Sequence, residues 1–92
     1  MTAIVSTRVA FSNITLQPSQ TVYNSVAGTP GTYYSFAASN AVSAVPEQQA
    51  VITVVNGWAN QPATSLNGPW CAATNTSTSA VTFDLVLLTV TP

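Results

Sequence analysis

The side chains of this chain able to do chemistry are few: Arg8, Glu47, Cys71 and Asp84, besides three tyrosines. Proton transfer and nucleophilic attack draw on His, Lys, Cys, Asp, Glu and activated hydroxyls. The chain has no His and no Lys, which removes His-based triads, imidazole metal ligands and Schiff bases. A two-carboxylate reaction would have to bring Glu47 and Asp84 within about 5–10 Å of each other. A Cys71 nucleophile would need a cation or base to lower its pKa, and Arg8 is the one side chain able to supply it. A buried structural thiol is expected instead. Zinc and calcium need clusters of ligands that this inventory lacks. No glycine-rich phosphate loop is present. The expectation is no catalytic residue, no metal, no cofactor, and no enzyme.

The same shortage limits partners. Nucleic-acid affinity comes largely from cations that neutralise phosphates, and attachment to an anionic membrane also needs them. One Arg serves neither, so neither partner is expected. No apolar run approaches the roughly 18 residues of a membrane span. The opening "MTAIVSTRVAFSN" has no basic segment followed by an uninterrupted apolar one, so it does not read as a signal peptide. Synthesis and folding in a cytoplasm are expected. Cys71 is the lone cysteine, which rules out an internal disulfide.

The elements that position these residues follow from composition and rhythm. Ninety-two residues make one domain, residues 1–92. Charged residues are 3% of the chain against a usual figure of about 25%, while 47% are apolar. Such a chain folds, with a surface of Ser, Thr, Asn, Gln and Ala. That surface hydrates well but repels nothing. It suits a protein that self-associates or is covered by a partner, with a neutral monomer as the plain alternative.

Short runs of β-branched and aromatic residues alternate with Pro and Gly turns. Residues 3–11 place Ala3, Val5, Thr7, Val9 and Phe11 on one face, with a bend at Ser12-Asn13. Residues 21–26 form a further candidate, "AGTPGT" a turn, and residues 32–38 put Tyr34 and Phe36 opposite Tyr33 and Ser35. Residues 39–49 read as a loop. "AVITVV" is apolar on both faces and reads as a central strand, ended by a turn at Asn56-Gly57. A long loop between Trp58 and Trp70 follows, since Pro62 and Pro69 argue against a central strand. Residues 70–73 suggest a brief strand.

Residues 80–90 form the strongest strand, with Val81, Phe83, Leu85 and Leu87 on one face. The other face begins with Thr82 and Asp84 and turns apolar at Val86, Leu88 and Val90. A strand apolar on both sides must be covered twice. The second cover is a neighbouring subunit or another protein, or else one of the domain's own long loops, residues 39–49 or 58–69. The sum is an all-β fold, an antiparallel β-sandwich or small barrel of jelly-roll or immunoglobulin-like type, with six to eight short strands.

Two functional classes remain. In the first, a structural protein assembles by neutral and apolar contact, with Val86, Leu88 and Val90 as interface anchors. Arg8 and Asp84 would set register from the polar side of their strands, either as a cross-strand ion pair or each facing water. In the second, a small carbohydrate-binding module uses Trp58, Asn60, Gln61, Asn67 and Trp70, with Tyr33 and Tyr34 as a further platform. The structural alternative for both tryptophans is to plug an end of the core.

The nearly uncharged, Ala-, Thr-, Ser- and Val-rich chain, with "GTPGTYYSFAAS" and a closing "AVTFDLVLLTVTP", resembles the small decoration (cement) or head-accessory proteins of tailed bacteriophages. The resemblance lies in composition and strand rhythm, with no motif. It implies a virion location, and as partners a capsid or other shell protein and copies of the chain itself, often as a trimer.

Overall fold

The computed structural model describes residues 2–61 and 66–92; the side chains of Asn60, Gln61 and Leu66 lie outside the description. It is all-β, with the strands β1 (Ile4–Leu16), β2 (Thr21–Ser25), β3 (Tyr33–Ser43), β4 (Ile52–Gln61), β5 (Leu66–Asn75) and β6 (Val81–Thr91). Two antiparallel three-stranded sheets pack as a small sandwich. Sheet A has the order β1-β6-β3 and sheet B the order β2-β5-β4.

Period-two alternation positions the core. Val81, Phe83, Leu85 and Leu87 of β6 point inward and are buried, together with Leu16 of β1 and Phe36 of β3. Sheet B contributes the small Cys71 and Ala73 from its central strand to the same cluster. Large side chains on the central strand of sheet A thus meet small ones on the central strand of sheet B, with Val22, Ile52 and Val54 packed at the flanks. Removing the Phe83 ring would cost about 3–5 kcal/mol, a large part of the roughly 5–15 kcal/mol that holds a domain folded.

The wholly buried polar residue is Asn75. Its Nδ2 donates to Leu16 O at 2.9 Å and to Ser79 O at 2.9 Å, and its Oδ1 accepts from Ser77 N at 2.8 Å. One amide thereby fixes the end of β1 and the turn into β6. Each of these backbone groups would otherwise be left unpaired in the interior.

Several expectations need correction. In β1 the register shifts between Val9 and Phe11 and again before Ile14, with Asn13 at φ 55°. A bulge re-aims the side chains that follow it, so Phe11 joins Leu85 on the inner side while Val9 stays outside. The expected loop over residues 39–49 begins as strand, because β3 continues to Ser43 across a second bulge, with Asn40 at φ 54°.

The strand expected to be central, β4, lies at the edge of sheet B, and its outer Val55 is 56% exposed. Asn56-Gly57 does not turn the chain; it sits within β4. The expected long loop is largely the β4–β5 pair, and the brief strand expected after Trp70 is part of β5, the centre of sheet B. Pro69 lies just beyond the β2 ladder. Pro69 O accepts from Val26 N at 3.1 Å, just past Ser25, the last ladder residue of β2. Gly28 N donates likewise to Asn67 O at 3.2 Å, so the chain still runs beside β5 there and Pro69 takes part as an acceptor alone. Pro62 lies outside the described residues.

Candidate functional site

The outer face of sheet A follows directly from its register. Val90 pairs with Val5 on one side and Tyr33 on the other; Leu88 pairs with Thr7 and Ser35; Val86 pairs with Val9 and Ala37. Residues opposite one another in an antiparallel pair share a face, so these rows form one surface without an ionisable side chain other than Tyr33. Val5 is 63% exposed, Val9 54%, Tyr33 71% and Leu88 36%, while Val86 and Val90 are half-buried between them. The apolar side chains run along the central strand and to both flanks, with the hydroxyls of Thr7 and Ser35 beside Leu88.

At the polar end of this face stands Asp84, the outward residue before Val86. It lies opposite the bulges in both neighbouring strands. Its Oδ1 accepts from Asn13 N at 2.9 Å, and its Oδ2 accepts from Asn40 Nδ2 at 3.2 Å. Both asparagines have positive φ, a conformation their short polar side chains tolerate. The Asn13 N–H foremost, then the Asn40 amide, hold the Asp84 carboxyl below its ordinary value. One carboxylate on the central strand thus pins irregularities in both flanking strands.

Arg8 does not join it. It is registered with Leu87, so it points to the opposite side of sheet A from Asp84. There the first half of β1 extends beyond the cover of sheet B, and Ile4, Ser6 and Arg8 are all exposed. The expected shared polar side, and with it the cross-strand pair, is replaced by an asparagine-bound carboxylate on one face and a guanidinium on the other.

The residues considered for sugar binding separate in the same way. Trp58 pairs with Pro69, and Gly57 with Trp70, which puts the two tryptophans on opposite faces of sheet B. Trp70 is half-buried on the outer face, lying over Gly57: a Cβ built on Gly57 would fall 2.6 Å from the indole Cε2. Trp58 faces the β3 side, its ring centroid 6.1 Å from that of Tyr34 at a 45° tilt. Its Nε1 donates to Asn67 Oδ1 at 2.7 Å. Trp58 and Asn67 line a cleft of about 460 Å³ with Pro30, Gly31, Thr32 and Tyr33. Tyr33 and Tyr34 are adjacent on one strand and point to opposite sides, so they do not make a joint platform. The side chains of Asn60 and Gln61 lie outside the described residues.

Sequence reasoning missed the role of Asn56. Its Oδ1 accepts from Phe36 N at 2.7 Å and its Nδ2 donates to Phe36 O at 3.2 Å. The side chain thus imitates a neighbouring strand at the β3 edge and ties the two sheets together. Its sequence signal, Asn before Gly, is the usual mark of a turn, which concealed it.

Cys71 is fully buried, and burial pushes its thiol up against the weaker opposing effect of a backbone hydrogen bond with Asn24. A thiol in that state is a poor nucleophile. Among the described residues no group of three metal-ligating side chains comes together. Compared with protein-family models, with curated proteins and with solved structures, the chain matches none.

Proposed function

We propose that this chain is a non-enzymatic structural protein that assembles through neutral, apolar contact, as a capsid decoration (cement) or accessory protein of a virion. The observation that carries the reading is the outer face of sheet A, where Val5, Val9, Val86, Leu88, Val90 and Tyr33 form one uncharged apolar surface. An exposed sheet face that is largely apolar and carries no charge is suited to contact with another protein. A neutral contact also avoids the cost of taking charges out of water.

Magnitudes point to a contact wider than this face alone. Three strands at a spacing of about 4.8 Å, over five residues at about 3.4 Å each, give a face of roughly 250 Å². A stable pairwise interface needs about 800 Å² per partner. The face is then the centre of a larger contact, with the exposed first half of β1 as the natural extension. That segment is at the edge of sheet A and carries neither Lys nor Pro, the usual guards against strand pairing. Copies of the chain and a shell protein are the partners proposed, with a trimer as the working stoichiometry. The phage-type likeness in composition and strand rhythm supports the shell assignment.

Light scattering at low and at high salt tests the reading. A discrete multimer whose size ignores salt is expected. A chain that stays monomeric at all concentrations, with or without salt, sinks it. Electron microscopy separates the finer claim: small discrete oligomers fit a decoration protein, whereas closed shells built by this chain alone would keep assembly and remove the decoration role.

A further inference from the structure

We propose that the cleft beside Trp58 binds a neutral saccharide. Four features of the cleft converge on this. First, the indole is held before any ligand arrives. Its N–H is bonded to Asn67, and Tyr34 packs at a tilt beside the ring. Tyr34 is itself anchored, its hydroxyl accepting from Thr29 N at 2.9 Å. Gly28 gives the ring room, since a Cβ there would lie 2.9 Å from Trp58 Cη2. A ring fixed in this way loses little freedom when a ligand stacks on it.

Second, the fixed ring is not buried. Trp58 is 41% exposed, although its polar N–H is satisfied. An exposed indole face offers a flat apolar surface of the kind that matches the C–H face of a pyranose ring. Third, the rest of the lining, Pro30, Gly31, Thr32, Tyr33 and Asn67, is neutral, and Thr32, Tyr33 and Asn67 are residues able to hydrogen-bond. These suit sugar hydroxyls, and nothing there would attract a carboxylate, sulfate or phosphate. Fourth, the volume of about 460 Å³ falls within the roughly 300–1,000 Å³ of small-molecule sites, enough for one or two sugar rings.

A proline-rich peptide also docks on aromatic grooves. It docks on several rings that line one groove, whereas here Tyr34 is tilted 45° against Trp58 and does not line the cleft. A saccharide fits better. Tyr33 is shared with the assembly face, but the binding test reads Trp58, which is not on that face, so its outcome is distinguishable from that of the proposed function.

The experiment uses the full chain carrying Trp70→Phe, which leaves Trp58 as the sole indole and does not touch the cleft. Neutral oligosaccharides of glucose, mannose, galactose and N-acetylglucosamine are titrated while Trp58 emission is followed. A decaproline peptide and a sulfated oligosaccharide run alongside. At least one neutral sugar is expected to give a saturable change in emission. On the wild-type background, followed by calorimetry, Trp58→Ala is expected to weaken that binding by about tenfold or more. Should Trp58→Ala fail to fold, Asn67→Ala releases the indole and is expected to weaken binding in the same direction. The proposal is overturned if no neutral sugar changes the emission, if only decaproline or the sulfated sugar does, or if binding is unchanged in the folded variants.

Discussion

The two outer faces of the sandwich are built from the same charge-poor alphabet and end in different states. On sheet A the central strand presents Val86, Leu88 and Val90, branched side chains flanked by Val5, Val9 and Tyr33. On sheet B the central strand presents Trp70, Ala72 and Thr74. Trp70 lies down over Gly57, and Thr74 pairs its hydroxyl with that of Thr21 at 2.7 Å. Tyr23 and Val55 flank Ala72 and are exposed, but the small residue between them leaves no raised apolar ridge. The same lack of charge thus yields one face whose central strand carries a small residue at its middle and one whose central strand carries three branched apolar residues in a row. What decides is the size of the central-strand side chains, not the number of exposed apolar residues.

The sharpest way to break this contrast is a matched pair of substitutions. Leu88→Asp puts a carboxylate in the middle of sheet A's face; Val55→Asp puts one on sheet B's. An unpaired charge buried in an interface costs about 3–5 kcal/mol, a loss of more than a hundredfold in association. Leu88→Asp is expected to give a folded monomer by light scattering and circular dichroism. Val55→Asp is expected to leave the multimer intact. Equal effects from the two would mean that the faces do not differ in function.

The contrast was partly legible in the sequence. The inward and outward residues of β6 can be read from period-two alternation, because a strand without bulges keeps its phase. The β1 phase could not be read past Val9. The bend at Ser12-Asn13 is visible as a turn signal, but whether a bend ends a strand or inverts its faces depends on the partner strand. The opposite placement of Trp58 and Trp70 was hidden for a related reason. It follows from the β4–β5 register, and two prolines made that stretch read as a loop. The apolar faces of "AVITVV" suggested double burial, yet β4 is an edge strand whose outer Val55 is exposed. Likewise Asn56-Gly57 has turn chemistry, but Asn56 serves the β3 edge and Gly57 lies under Trp70. Local residue preference cannot reveal a side chain that replaces a strand or a ring that needs a gap.

That gap gives the next test. Gly57→Ala would set a methyl group 2.6 Å from the Trp70 ring, so the indole must lift off the face. Forcing an extra carbon into a packed contact costs about 1–3 kcal/mol. A lower urea midpoint is expected, with red-shifted Trp70 emission in a Trp58→Phe background. The variant is also expected to self-associate more readily than its parent, since a raised Trp70 gives sheet B the protruding apolar group it lacks. An unchanged midpoint and emission would show that Trp70 does not depend on lying flat.

The smallest effect concerns the polar end of sheet A's face. The folded state holds the Asp84 carboxyl below its ordinary value by two hydrogen bonds. A carboxyl depressed on folding adds stability above its unfolded pKa, near 3.9. That contribution fades as pH falls toward the folded value, because the unfolded chain then binds the proton more readily. Asp84→Asn keeps the shape but weakens the acceptance from Asn13 and Asn40. The parent is expected to lose urea resistance on acidification from pH 6 to about pH 3, and Asp84→Asn to lose less, with the two curves converging at the acid end. The group is at the surface, so the difference should be small, and the multimer at neutral pH should persist in both. Parallel curves over the whole range would mean that the bulges at Asn13 and Asn40 hold without the carboxylate, leaving the register of sheet A's face to its apolar rows alone.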